Sequence, residues 1–96
     1  MIDFIRKFLE KREEKFKTKK MMEWYQFHFE NIQKYPTRKA CQLAKRQRQE
    51  IESVRVQILH TEHPERKKRL IKHVELGERL LRLIDERLRR SLRIVS

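Results

Sequence analysis

Proline and glycine, the residues that most often interrupt helices, are almost missing from this chain of 96 residues. It contains two prolines, Pro36 and Pro64, and a single glycine. The composition is otherwise rich in Lys, Arg, Glu, Gln and Leu, which favour helix, so the sequence predicts an all-α protein. The two prolines divide one expected domain, residues 1–96, into three helical segments. The predicted helices span about 2–35, 38–60 and 64–95.

The second and third segments each carry an apolar stripe with the four-three spacing of one helix face. The stripe of the third segment consists of Leu70, Val74, Gly77, Leu81, Ile84, Leu88 and Val95. The stripe of the second consists of Ala40, Ala44, Gln47, Ile51, Val54 and Ile58. Gly77 predicts a close helix approach, and Gln47 is a polar residue at a core position that can set register.

The connection between the second and third segments, His60 to Pro64, is short. The two helices should therefore be antiparallel neighbours, forming a long hairpin. With the aromatic-rich N-terminal helix packed on that hairpin, the predicted architecture is a three-helix antiparallel bundle.

The first half of the N-terminal segment has a weaker pattern. Its apolar stripe is Ile2, Ile5, Leu9 and Phe16. Because only Phe16 is apolar among residues 11–20, a break in that stretch is an alternative to one continuous helix. An amphipathic, membrane-surface role for Met1–Phe16 is also an alternative, which its acidic residues weaken.

The second half of this segment is the aromatic block that ends at Tyr35. Its apolar residues Met21, Tyr25, His28, Ile32 and Tyr35 again follow four-three spacing. This spacing predicts that the aromatic side chains form core. Trp24 and Tyr35, at the margins of the apolar arc, are the expected exceptions that could stack on unpaired bases.

Charge is the main indication of function. The chain has 26 Lys and Arg against 14 Asp and Glu, a formal charge of +12. The excess is spread over all three segments, and its field attracts polyanions, of which nucleic acid is the commonest. In the predicted bundle, the start of helix two lies beside the end of helix three. The cations predicted to gather there and bind nucleic acid are Arg38, Lys39, Lys45, Arg46, Arg48, Arg87, Arg89, Arg90 and Arg93.

The predicted function is therefore binding of RNA or DNA through the phosphate backbone, as an accessory factor, a ribonucleoprotein component or a regulator. No C2H2 spacing, RNP motif or helix-turn-helix separates RNA from DNA. The alternative is a non-enzymatic helical protein-interaction module or adaptor. Such a protein would use surplus apolar surface to bind a protein partner or to form a homo-oligomer.

No catalytic arrangement and no cofactor site are predicted, because the chain lacks a Gly-rich phosphate loop and a nucleophile with a neighbouring base. His60 and His63 are three residues apart, but Cys41 would lie about 28 Å from them along the helix, so no metal site is expected. The boundary histidines should instead cap a helix or pair with Glu62.

The single cysteine fits a reducing compartment. No apolar run approaches the roughly 20 residues of a membrane span, and the N-terminal stretch does not resemble a secretory signal. We therefore expect a soluble, intracellular protein without a transmembrane segment, in the cytoplasm, nucleoid or nucleus. No motif in the sequence identifies a known family.

Overall fold

Three α-helices account for nearly the whole chain. The structure is a computed structural model that describes the backbone of residues 2–95 and the side chains of residues 2–90. The helices are α1 (Ile2–Asn31), α2 (Thr37–His60) and α3 (Pro64–Val95), and a short 3₁₀ helix, Ile32–Lys34, follows α1. The described part of the chain contains no strand, and the predicted all-α, three-helix bundle is confirmed.

Helix α3 is central, because it packs against both of the other helices. α2 returns along α3 as its antiparallel neighbour after the connection at residues 61–63. α1 runs in the same direction as α3. Its residue Glu10 meets His63 at the start of α3, and Phe29 meets Arg79 further along.

The core forms where the three helices meet in the half of the bundle near the end of α1. Its buried residues are Tyr25, Ile32, Tyr35, Ala40, Leu43, Ala44, Leu80 and Ile84. The small alanines of α2 let its backbone approach α3. Gly77 has the same role, since an added Cβ would lie 2.8 Å from Ile51 Cγ1 and 3.3 Å from the Tyr25 hydroxyl. The predicted close approach at Gly77 is confirmed.

A buried polar junction links α1 to α2 at the same level. The Tyr25 hydroxyl donates a hydrogen bond of 2.8 Å to Gln47 Oε1, and both side chains are 1% exposed. Gln47 Nε2 in turn donates to Glu50, whose other oxygen lies 3.1 Å from His73 Nε2. Burial raises the pKa of Tyr25 above its ordinary value, and the nearby Glu50 charge adds to the effect. Because the tyrosine stays neutral and hydrogen-bonded, the junction can fix the register of α1 against α2.

Helix α1 continues through residues 11–20 without a break. Glu14 anchors this stretch to α3, where Arg66 Nε and Arg69 Nε lie 3.3 Å and 2.5 Å from its two carboxylate oxygens. Burial alone would raise the Glu14 pKa, but the hydrogen bonds and charges of the two arginines lower it below the ordinary value. An ion-pair cluster therefore replaces apolar core at this end of the α1–α3 contact.

The molecule is elongated, extending 66 × 24 × 15 Å. Since Glu10 already lies at the connection between α2 and α3, residues 2–9 of α1 project about 12 Å beyond the hairpin. Among the described helices, none combines the length and apolar character needed to cross a membrane.

Candidate nucleic-acid interface

Tyr35 joins all three helices at the end of the bundle where the predicted cations lie. Its carbonyl oxygen accepts a hydrogen bond from Arg87 Nη2 of α3, and Lys39 Nζ of α2 lies 4.2 Å from its ring centroid. Its hydroxyl lies 2.8 Å from Nδ1 of His28 in α1. The start of α2 therefore lies beside the later turns of α3, with Tyr35 between them.

Tyr35 was predicted to be exposed, and this prediction is wrong. Its ring belongs to the core cluster, and burial raises the pKa of its hydroxyl. Burial and the Lys39 charge lower the pKa of the neighbouring His28. The signal for a buried Tyr35 was present in the sequence, because Tyr35 continues the stripe of Met21, Tyr25, His28 and Ile32 onto the packed face.

The predicted cations of α2 are all exposed, and they are spread over about half of the helix circumference. Among the described residues, no salt bridge is formed by Arg38, Lys39, Lys45, Arg46 or Arg48. Residues 31–49 contain no acid. The first turn of α2 also lacks an acid, and no side chain caps it. The positive end of the helix dipole therefore lies beside Arg38 and Lys39, which further favours an anion.

The predicted cations of α3 are in more varied surroundings. Arg87 is partly buried, and its contact with the Tyr35 carbonyl gives it a positioning role. Arg89 lies 3.0 Å from Asp85 in a largely exposed ion pair, which is worth little in water. Arg90 is exposed. The side chain of Arg93 lies outside the described residues.

The nine predicted cations therefore do not make one compact patch. Arg38 and Lys39 lie at the Tyr35 joint with Arg87, whereas Arg48 is about 15 Å further along α2. Arg48 shares a surface depression with Leu81 and Glu78 of α3. The α2 cations form a broad strip, about half of the helix circumference in width, which begins at the joint and runs towards the middle of the hairpin.

The aromatic residues of α1 are less buried than the sequence predicted. Tyr25 is in the core and Phe29 packs against it, but Phe27 is 57% exposed and Trp24 is 43% exposed. Exposure was expected for Trp24 and not for Phe27. The apolar arc of this block is broader than the surface that α3 covers. The side chains at the edges of the arc therefore remain exposed to solvent.

The boundary histidine His63 caps α3, as predicted, but its acidic partner is not Glu62. Its Nδ1 accepts a hydrogen bond from the Arg66 N–H, and its Nε2 lies 3.0 Å from Glu10 in α1. Within the described residues, no group of three or more His, Cys, Asp or Glu could hold a metal ion, and Cys41 is exposed.

Comparison of the chain with protein-family models, characterised proteins and solved structures gives no match. The chemistry of the residues themselves is thus the basis for assigning function.

Proposed function

We propose that this protein binds RNA or DNA through the basic strip of α2, with Arg89 and Arg90 of α3 as additional phosphate contacts. The observation that carries the proposal is the row of five exposed cations within residues 31–49, a stretch with no acid. Cations without acidic partners remain available to phosphates, and each phosphate that they neutralise releases a counterion.

The geometry of the strip suits a phosphate backbone. From Arg38 to Arg48 the helix rises about 15 Å, which matches about four nucleotides along one duplex strand. Arg38 and Lys39 also lie in the first turn of α2, where the helix dipole disfavours positive charge. A phosphate at this end would offset that repulsion. Arg89 could exchange its weak contact with Asp85 for a phosphate at little cost.

The roles within the predicted group differ accordingly. The α2 cations would contact phosphates, while Arg87 would hold α3 against Tyr35 and so keep the two helices in register. Contacts to the backbone alone give affinity without sequence preference, which fits the absence of a base-reading motif.

The test is the salt dependence of binding to RNA and DNA oligonucleotides. The triple variant Lys45→Gln/Arg46→Gln/Arg48→Gln removes three strip cations. Its slope of log affinity against log salt should be shallower by about three units, one for each lost phosphate contact. The control, Lys67→Gln/Lys68→Gln/Lys72→Gln, removes the same charge from exposed positions of α3 near the other end of the bundle and should change the slope far less.

Two results would count against the proposal. One is the absence of binding at low salt, or binding that ignores salt. The other is an equal loss of slope in both triple variants, because this would show that net charge, and not the strip, attracts nucleic acid.

A helical protein-interaction module is the second candidate. The observation in its favour is the exposure of Met22, Trp24 and Phe27 at the two margins of the apolar arc of α1. Sedimentation velocity would separate the two functions. A dimer that Phe27→Ser dissociates, and that does not bind oligonucleotides, would favour the interaction module.

A further inference from the structure

The first half of α1 directs its apolar face away from the bundle. The stripe of α1 that meets α3 contains Lys7, Glu10, Glu14 and Thr18, followed by Met21, Tyr25, His28 and Ile32. The earlier apolar stripe, from Ile2 to Phe16, lies about 140° around the helix from this contact stripe. Neither α2 nor α3 can therefore cover it while α1 remains one continuous helix.

The exposed areas agree with this geometry. The apolar residues of this outward face are Ile2, Phe4, Ile5, Phe8, Leu9 and Phe16. Each of the six is more than half exposed, with Phe4 at 77% and Phe8 at 59%. Large apolar side chains grouped in this way are typical of a binding surface, whereas single exposed ones are ordinary.

The acids of this segment lie on the other side of the helix. Glu10 and Glu14 point to α3, where they contact His63 and the arginines Arg66 and Arg69. Asp3 falls within the same half of the helical wheel, and Glu13 lies at its edge, where it pairs with Lys17. Two of the acids that weakened a membrane role in the sequence, Glu10 and Glu14, are therefore held away from the outward face.

Cations complete the outward face. Arg12, Lys19 and Lys20 are exposed and fall in the same half of the wheel as the apolar side chains. Lys11 and Lys15 lie nearer to α3, where each shares a surface depression with Glu65. Lys20 Nζ lies 5.6 Å from the centroid of the Phe16 ring, so charge and apolar surface are adjacent. The face combines large apolar side chains with three positive charges, and the exposed acids at its border, Glu13 and Glu23, pair with Lys17 and Lys20.

This combination decides between possible occupants. A second copy of the chain would bring a like-charged face and a second net charge of +12, and both would repel. An anionic lipid bilayer offers the matching chemistry, because its headgroups attract Lys and Arg while its interior accepts Phe, Ile and Leu. We propose that the first half of α1 binds anionic membrane surfaces, lying in the interface with its outward face towards the lipid.

Binding in this way requires no rearrangement of the bundle. Residues 2–9 project beyond the α2–α3 connection, and the contact stripe keeps α1 on α3. The basic strip of α2 starts at the opposite end of the elongated molecule. The membrane proposal is thus independent of nucleic-acid binding, and each can fail without the other.

The test is flotation of the full chain with two kinds of vesicle, phosphatidylcholine alone and phosphatidylcholine mixed with phosphatidylglycerol. The protein should bind the mixed vesicles and not the neutral ones. Phe8→Ser should weaken binding about tenfold, the effect of withdrawing one large apolar side chain from the bilayer. Val56→Ser is the matched control, since Val56 is 53% exposed on α2, and it should bind like the original protein.

A second pair of variants tests the contribution of positive charge to vesicle binding. Arg12→Gln/Lys19→Gln should weaken vesicle binding by about fivefold for each charge removed. Lys67→Gln/Lys68→Gln, on α3, removes equal charge from outside the face and should leave binding nearly unchanged.

Three results would overturn the proposal. The first is the absence of binding to mixed vesicles, and the second is equal binding by the Phe8→Ser and Val56→Ser variants. The third is a dimer that Phe8→Ser converts to monomer, which would assign the face to self-association. Loss of vesicle binding in the Phe8→Ser variant with an unchanged salt slope on oligonucleotides would support the membrane role alone, and circular dichroism would confirm that the variant remains folded.

Discussion

The two halves of α1 use the same helix in opposite ways. From Met21 onward, the side facing α3 is apolar, and Tyr25 and Ile32 are buried in the core. Before Met21, the side facing α3 is polar, and Glu14 meets two arginines there. The apolar side chains of the first half point to solvent. The comparison teaches that the direction of an apolar stripe relative to its partner matters as much as its presence.

The most severe test of this comparison replaces one aromatic residue in each half. Tyr25→Ala should destabilise the protein by about 3–5 kcal/mol, because it empties a core position and leaves Gln47 without its donor. Phe8→Ala should change the free energy of unfolding by less than about 0.5 kcal/mol, as expected for an exposed site. Urea denaturation measures both, and a similar loss in the two variants would remove the distinction between the halves.

The close approach of α3 to α2 at Gly77, at the level of the second half of α1, gives the next prediction. Gly77→Ala should cost about 1–3 kcal/mol, since the new methyl group would collide with Ile51 next to the Tyr25 hydroxyl. The same urea titration tests it. An alanine variant as stable as the original would mean that the helices are further apart than the structure shows.

The ion-pair cluster of the first half predicts a dependence on pH. The Glu14 pKa lies below its ordinary value of 4.5 in the folded protein. Because the unfolded chain binds this proton more readily, the stabilisation is complete above pH 4.5 and is lost as pH falls through the folded pKa. Glu14→Gln should cost about 1–3 kcal/mol at neutral pH. It should also make unfolding less sensitive to acid.

Glu13→Gln is the control for this prediction, because Glu13 pairs only with Lys17 on the exposed surface. Unfolding curves at a series of pH values below 4.5 would compare the two variants. Equal acid sensitivity in the Glu14→Gln variant and the original protein would show that the cluster does not stabilise the α1–α3 contact.

The smallest expected effect comes from the second half, at His28. Burial and the Lys39 charge place its pKa below the ordinary value of 6.5. The stabilisation that neutral His28 gives to the folded protein is therefore complete above pH 6.5, and it decreases as pH falls from there through the folded pKa. His28→Gln should flatten the stability profile in this window. Thermal unfolding across the window measures the effect, and a variant profile as steep as that of the original protein would contradict the prediction.

Much of the fold could be predicted because its signals are local. Pro36 and Pro64 lie at or next to the starts of α2 and α3, and the stripe of α2 correctly marks Ala40, Ala44 and Gln47 as buried. The all-α class follows from the helical periodicity of the apolar residues. The antiparallel hairpin follows from the short connection between α2 and α3. These features depend on residues that are close in sequence.

The site was harder to predict because it depends on which side of each helix meets a neighbour. The stripe ending at Phe16 and the stripe starting at Met21 are both visible in the sequence, but only the angular offset between them shows which one faces α3. The second stripe continues back through Thr18, Glu14 and Glu10, which indicates that the first stripe faces outward. The role of Arg87 could not be predicted at all, since its partner is a backbone carbonyl at Tyr35.

The most direct test of the account is the salt slope of oligonucleotide binding for Lys45→Gln/Arg46→Gln/Arg48→Gln, measured beside Phe8→Ser. If the α2 strip contacts phosphates, the slope should be shallower by about three units for the triple variant and unchanged for Phe8→Ser. An unchanged slope in the triple variant, or an equal change in both, would contradict the claim that the strip on α2 contacts nucleic acid.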